Sequence, residues 1–170
     1  MQTSSVKLYS LEYRQAKTYW IAALFMLGNL LLPQLCHLVP QGGMRWLPIY
    51  LFTLIGAYKY GWRVGLLTAV ASPLLNSALF GMPAAAVLPA ILLKSVLLAV
   101  AAGYAAARSG KTPLWLFAAV VLTYQEVGTL GEWAMSGSLA AAAQDFRIGI
   151  PGMLLQIFGG WFCINRLLRR

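Results

Sequence analysis

Residues 84–107 read AAAVLPAILLKSVLLAVAAGYAAA, with a single charge, Lys94, at their centre. The next charges are Arg63 upstream and Arg108 downstream. A run this long and this apolar reads as a helix in lipid. An ammonium at its centre costs about 2.5–3.5 kcal/mol on insertion scales. Such a residue persists when it faces a protein-lined cavity and has a partner. The rest of the chain is therefore read for groups that share its depth.

The composition supports the membrane reading. Of 170 residues, 60% are hydrophobic and 10% charged, against roughly 25% charged in soluble domains. Mean hydropathy is +0.71. This is an integral membrane protein with little room for a separate water-soluble domain. The net charge of +9 sits at the ends of apolar runs, so it reads as topology and not as a nucleic-acid surface. Cys36 and Cys163 are expected at opposite membrane faces, too far apart for a disulfide. Neither has metal-site spacing around it. The first apolar run is too long for a signal-peptide core and lies behind a polar segment.

Turn signals divide the chain into an all-α fold of six transmembrane helices. Residues 1–17 form an interfacial segment, partly helical, and 18–170 a single membrane domain. The first span is Thr18–Val39, interrupted at Pro33, and Pro40-Gln41-Gly42-Gly43 is a turn. The second, Trp46–Tyr58, is short, with Pro48 in its first turn, where proline is tolerated. Lys59 and Arg63 bracket a tight turn and are expected to snorkel. The third is Val64–Phe80, the fourth Ala84–Ala107, the fifth runs from Thr112-Pro113 to Ala134, and the sixth is Ile148–Asn165. Of the thirteen Lys and Arg residues, ten fall on the side of the termini. Arg45 and Arg147 fall opposite, and Lys94 lies within. That bias puts both termini in the cytoplasm of a cell (inner) membrane.

Polar residues gather in the outer halves of the spans. Counting about 1.5 Å per residue, Lys94 lies about 15 Å from the outer end of its span and Glu126 about 12 Å. Asn29, Asn76, Gln125 and Gln156 lie between the centre and the outer face, with Gln34 and His37 above Asn29. The inner halves are nearly apolar. This asymmetry fits an outward-open pocket, and intramembrane polar residues are site candidates by default. Lys94 would meet an anionic group, or pair with Glu126 until a ligand intervenes. The amides would set specificity, and Trp46 and Tyr50 would stack on a ring. A basic pocket residue favours a carboxylate or phosphate ligand, while Glu126 and Glu132 leave a cationic one open. The plainer reading is a structural Lys94–Glu126 pair in an assembly subunit. An intramembrane enzyme would use Glu126 or His37 as base, but one histidine with scattered carboxylates makes no triad. There is no phosphate-binding loop, so the chain cannot hydrolyse ATP alone. Two small-residue series, Ala57-Gly61-Gly65-Ala69 and Ala99-Gly103-Ala107, allow close helix approach, within this chain or against another subunit.

Gly28-Asn29-Leu30-Leu31-Leu32-Pro33-Gln34, the Pro-Gln-Gly-Gly loop, Trp46-Leu47-Pro48-Ile49-Tyr50, and Ser72-Pro73-Leu74-Leu75-Asn76 followed by Gly81-Met82-Pro83 carry a resemblance. Over residues 18–168 the chain resembles the substrate-binding S components of energy-coupling-factor (ECF) vitamin transporters. The resemblance implies a non-catalytic subunit, without cofactor, that captures a vitamin-like micronutrient. It also implies a transmembrane coupling subunit and two cytoplasmic ATPases as partners. The loop containing Pro40, Gln41, Gly42 and Gly43 matches the family's gate in position, and its glycines would allow lid motion. Docking in the family uses Ala-x-x-x-Ala on the first helix. Here Ala22 and Ala23 are followed at the fourth place by Met26 and Leu27, which leaves Gly61 and Gly65 as an alternative docking series.

Overall fold

A computed structural model describes residues 6–168, and every element among them is helical. Four helices are long and apolar enough to cross a membrane: α1 (Ala16–His37), α4 (Trp62–Phe80), α5 (Leu88–Ser109) and α6 (Leu114–Ser136). The short α2 (Gly42–Trp46) follows α1, and a 3-10 turn (Pro48–Tyr50) leads into α3 (Leu51–Tyr60). After α6 come α7 (Leu139–Ala142) and α8 (Gln144–Ile148), then α9 (Ile150–Leu154) and α10 (Gly160–Phe162). Two π turns, Leu155–Gly159 and Cys163–Leu167, join the last pair into one helical run from 150 to 167.

Of the six expected spans, four are these long helices, and the other two segments take different forms. The second becomes α3, only ten residues and about 15 Å long. It is buried almost all round, with Leu54, Ala57, Tyr58 and Lys59 fully inaccessible. It packs on α1, α4 and α5 and touches the 150–167 run. A helix this short would leave half of a ~30 Å hydrocarbon layer unspanned, and here it serves as the central post of the bundle. The last segment is a continuous helical run that passes through two π turns. It is tied to the α5–α6 loop, where Trp161 Nε1 donates to the Thr112 carbonyl at 3.0 Å and Thr112 Oγ1 to Asn165 Oδ1 at 2.6 Å.

The turn between α3 and α4 falls where the sequence puts it. Gly61 sits at φ 101°, ψ 157°, a conformation that side-chain-bearing residues rarely adopt. The small-residue series beside it is internal packing. A Cβ on Gly65 would stand 2.9 Å from Ala57 Cα and 3.2 Å from Ala99 Cβ, so the series knits α3, α4 and α5 together. A Cβ on Gly103 would stand 2.7 Å from Trp62 Cα. The close neighbours of Gly61 and Gly65 thus lie in this chain, with Gly65 buried and Gly61 half-buried. Ala22 is buried and Ala23 half-buried. The outward face of α1 is bulky instead, with Trp20, Leu24, Leu31 and Leu38 between 66% and 80% exposed.

Residues 6–15, before α1, carry no helix, and the first five residues of the expected interfacial segment lie outside the described residues. The 6–15 stretch closes the end of α3, whose last carbonyls have no partner within the helix. Tyr9 N–H donates to the Lys59 carbonyl at 2.9 Å and Leu11 N–H to the Tyr60 carbonyl at 3.1 Å. Tyr9 stacks on Tyr60 at 5.6 Å. Lys59 does not snorkel. It is buried, and its ammonium donates to the Lys7 carbonyl at 2.5 Å. Arg169 and Arg170, counted in the charge bias, lie outside the described residues.

α1 runs through Pro33 to His37 without stopping. Pro33 has no N–H to offer the carbonyl of Asn29 one turn earlier. The side chain of Asn76 takes that place, its Nδ2 donating to the Asn29 carbonyl at 2.9 Å. Asn29 Nδ2 in turn donates to Thr53 Oγ1 at 3.0 Å and Ser72 Oγ at 3.3 Å. The kink-forming proline is thereby answered by a polar clasp joining α1, α3 and α4.

Candidate functional site

Because α3 is short, the bundle is unfilled beyond its N-terminal end. A cavity of about 580 Å³ occupies that space, within the usual ~300–1,000 Å³ range of small-molecule sites. Pro48, Ile49 and Tyr50 line it beneath, and the C-terminal end of α1, the α4–α5 turn, α5, α6 and the α7–α8 segment contribute its walls. It lies at the end of the bundle away from the Tyr9 segment.

Lys94 lines the cavity and carries its main electrostatic feature. Its partner is not Glu126. The ammonium is held by Glu132 Oε2 at 2.5 Å and Asp145 Oδ2 at 2.7 Å. Glu126 is exposed on another face of α6. The reason is helical phase: at 100° per residue, six positions rotate a side chain by about 240°. Depth also differs from the expectation. α5 begins at Leu88, not Ala84, so Lys94 is about 9 Å from its start. Glu132 is four residues from the end of α6, about 6 Å, and the two meet near one level. Lys94 is 3% exposed, whereas the Glu132 and Asp145 side chains are 20% and 17% exposed. The carboxylates are therefore more accessible than the ammonium.

Gly128 lets Lys94 reach this position. It faces the lysine stem across the α5–α6 contact, and a Cβ there would stand 2.5 Å from Lys94 Cγ. The lysine is fixed by its helix at one end and by two carboxylates at the other.

The remaining sequence candidates separate into layers. His37, Tyr50 and Asn76 line the cavity with Lys94, and so does Gly43. Tyr50 rests on Tyr124 with ring centroids 5.4 Å apart, and Tyr124 donates to Gln156 Oε1 at 2.8 Å. Gln156 is thus a layer beneath the cavity, in the first π turn. Gln125 is fully buried, and neither of its amide atoms has a hydrogen-bond partner among the described residues. Asn29 belongs to the clasp at Pro33. Gln34 is half-buried with an unpartnered Nε2, and Trp46 is exposed; neither lines the cavity.

The Pro40–Gly43 loop is folded tightly. Gln41 and Leu47 flank α2 at φ 58° and 44°. A Cβ on Gly42 would collide with the Cys36 carbonyl, and one on Gly43 would stand 2.6 Å from His37 Nε2. These glycines serve close approach.

Sequence reasoning missed the roles of Glu132 and Asp145. Glu132 could have been found by phase, since it shares a stripe with Gln125 and Gly128 at helical spacing. Asp145 lies in an interhelical segment, where periodicity is silent. Among the described residues no three His, Cys, Asp or Glu side chains gather as a metal site. No family model, curated protein or solved structure matches the chain.

Proposed function

We propose that the chain is the substrate-capturing subunit of a micronutrient uptake system, an S component of the energy-coupling-factor type. In this reading it sits in the inner membrane with both termini in the cytoplasm. It binds a vitamin-like molecule from outside without catalysis. A coupling subunit and two ATPases supply the energy for release inward.

The observation that carries the reading is the cavity over the truncated helix α3, with a charged cluster in its wall. Holding a buried ammonium between two partly buried carboxylates is expensive, and a purely structural bundle would be served as well by apolar packing. The charge bias supports the orientation. His37, Tyr50, Asn76 and Lys94 are the sequence-derived contacts retained for the ligand, joined by Glu132 and Asp145. In this reading the Pro40–Gly43 loop, whose Gly43 lines the cavity, is its gate.

Native mass spectrometry of the protein purified from its own cells tests the proposal. A bound small molecule released on activation is expected. The double pairing of Lys94 favours one competing reading, an assembly subunit whose ion cluster only fixes α5 to α6. Failure to find any ligand, with no thermal stabilisation by a micronutrient panel, would select that alternative.

A further inference from the structure

Lys94 is the only cationic side chain of a lysine or arginine among the cavity-lining residues, and it is already bonded to two carboxylates. With all three groups ionised, the cluster carries a net charge of −1. Lys94 engages one oxygen of each acid, Glu132 Oε2 and Asp145 Oδ2. No hydrogen bond or ion pair among the described residues engages Glu132 Oε1 or Asp145 Oδ1.

Asn76 adds a second, independent indication. It is 1% exposed and lines the same cavity. Its Nδ2 lies 2.9 Å from the Asn29 carbonyl and 3.0 Å from the Ser72 carbonyl. Two acceptors around one atom fix it as the nitrogen and direct both its hydrogens into the protein. The amide oxygen has no partner. A buried acceptor left without a donor carries a desolvation cost that a ligand N–H can relieve. The cavity thus offers carboxylate oxygens, its lining residue Asn76 holds an unpartnered amide oxygen, and its lysine is spent. Tyr50, itself nearly inaccessible, lies in the floor beneath.

We infer that the site takes a small organic cation bearing N–H donors, and not the carboxylate or phosphate ligand that a lone lysine would favour. This inference rests on the cavity being the capture site proposed above. The positive group sits against Glu132 and Asp145, and an N–H meets the Asn76 oxygen. An anion would have to displace one carboxylate from Lys94 and leave that carboxylate unpaired beside it.

The test uses the full chain in lipid nanodiscs, with isothermal titration of two probe sets. The cations are thiamine, pyridoxamine and choline; the anions are biotin, pantothenate and nicotinate. Native mass spectrometry identifies any ligand retained through purification. Binding confined to the cations, or a retained ligand with net positive charge, is expected. The affinity for that cation should fall at least tenfold in Glu132→Gln and in Asp145→Asn, both near-isosteric. It should stay unchanged in Glu126→Gln, which removes the same charge from the outer face of α6. Selective binding of an anion or of a neutral molecule would overturn the inference and leave the capture role standing. So would cation binding indifferent to both site substitutions. Absence of any retained ligand together with silence from both probe sets would remove the capture role itself.

Discussion

Replacing Gly128 with alanine tests whether Lys94 is held as rigidly as its contacts imply. The new methyl carbon would stand 2.5 Å from Lys94 Cγ and 3.4 Å from Cε, where unstrained carbons rest at about 3.5–4.0 Å. A free lysine would swing aside. This one cannot, because its ammonium is bonded to Glu132 and Asp145. Relief requires parting α5 from α6 or losing an ion pair, and overpacking of this kind costs about 1–3 kcal/mol. In a Lys94→Ala background the stem is gone. The nearest remaining atom is the residue-94 Cβ at 3.5 Å, an ordinary contact. There the second substitution should be close to neutral, helped by alanine's higher helix propensity of about 1 kcal/mol. The measurement is a double-mutant cycle of unfolding free energies in mixed detergent micelles. A coupling of about 2 kcal/mol is expected. Additivity within about 0.5 kcal/mol would refute the reasoning, because it would mean the lysine stem yields freely.

Gly103→Ala should be still less tolerated, since its methyl would meet Trp62 backbone atoms at 2.7–2.8 Å. A loss of about 3 kcal/mol is expected in the same assay, and a loss under about 1 kcal/mol would deny the close α4–α5 crossing. Tyr9→Ala removes the stack on Tyr60 and loosens the segment that closes α3. It should cost about 1 kcal/mol and speed proteolysis before α1, and an unchanged digestion pattern would argue against that closure. Gln125→Met replaces a buried amide that has no partner among the described residues. It should raise stability by about 1 kcal/mol, whereas a lower melting temperature would reveal an ordered water or ligand on that amide.

The sequence carried the fold through hydrophobic run lengths. α1, α4, α5 and α6 each announce themselves as 19–23 residues of apolar helix. The 13-residue second span was visible as an anomaly, but its meaning was not. Run length cannot distinguish a helix thinned against lipid from one buried on every side. That depends on α1, α4 and α5 closing around it. Lys94 was legible because one charge in 24 residues is conspicuous. Its partners were harder, because pairing depends on helix phase and on where α5 starts, and a start misplaced by four residues moves the depth by about 6 Å. Pro33 and Asn76 are an intermediate case. A proline predicts a stranded carbonyl at Asn29, but no local pattern says which distant amide will answer it.

The buried post α3 also constrains how the protein is made. Its ten residues leave the ribosome before α4, α5 and the 150–167 run exist, although α4 and α5 are its main enclosure. Too short to anchor itself across a bilayer and too apolar to remain in water, it must wait beside α1 or the insertion machinery. Emergence of residue 109 from the ribosome is the point at which both helices become available. Arrest of synthesis before that point should leave α3 accessible to water-borne labelling reagents, and arrest beyond it should protect the segment.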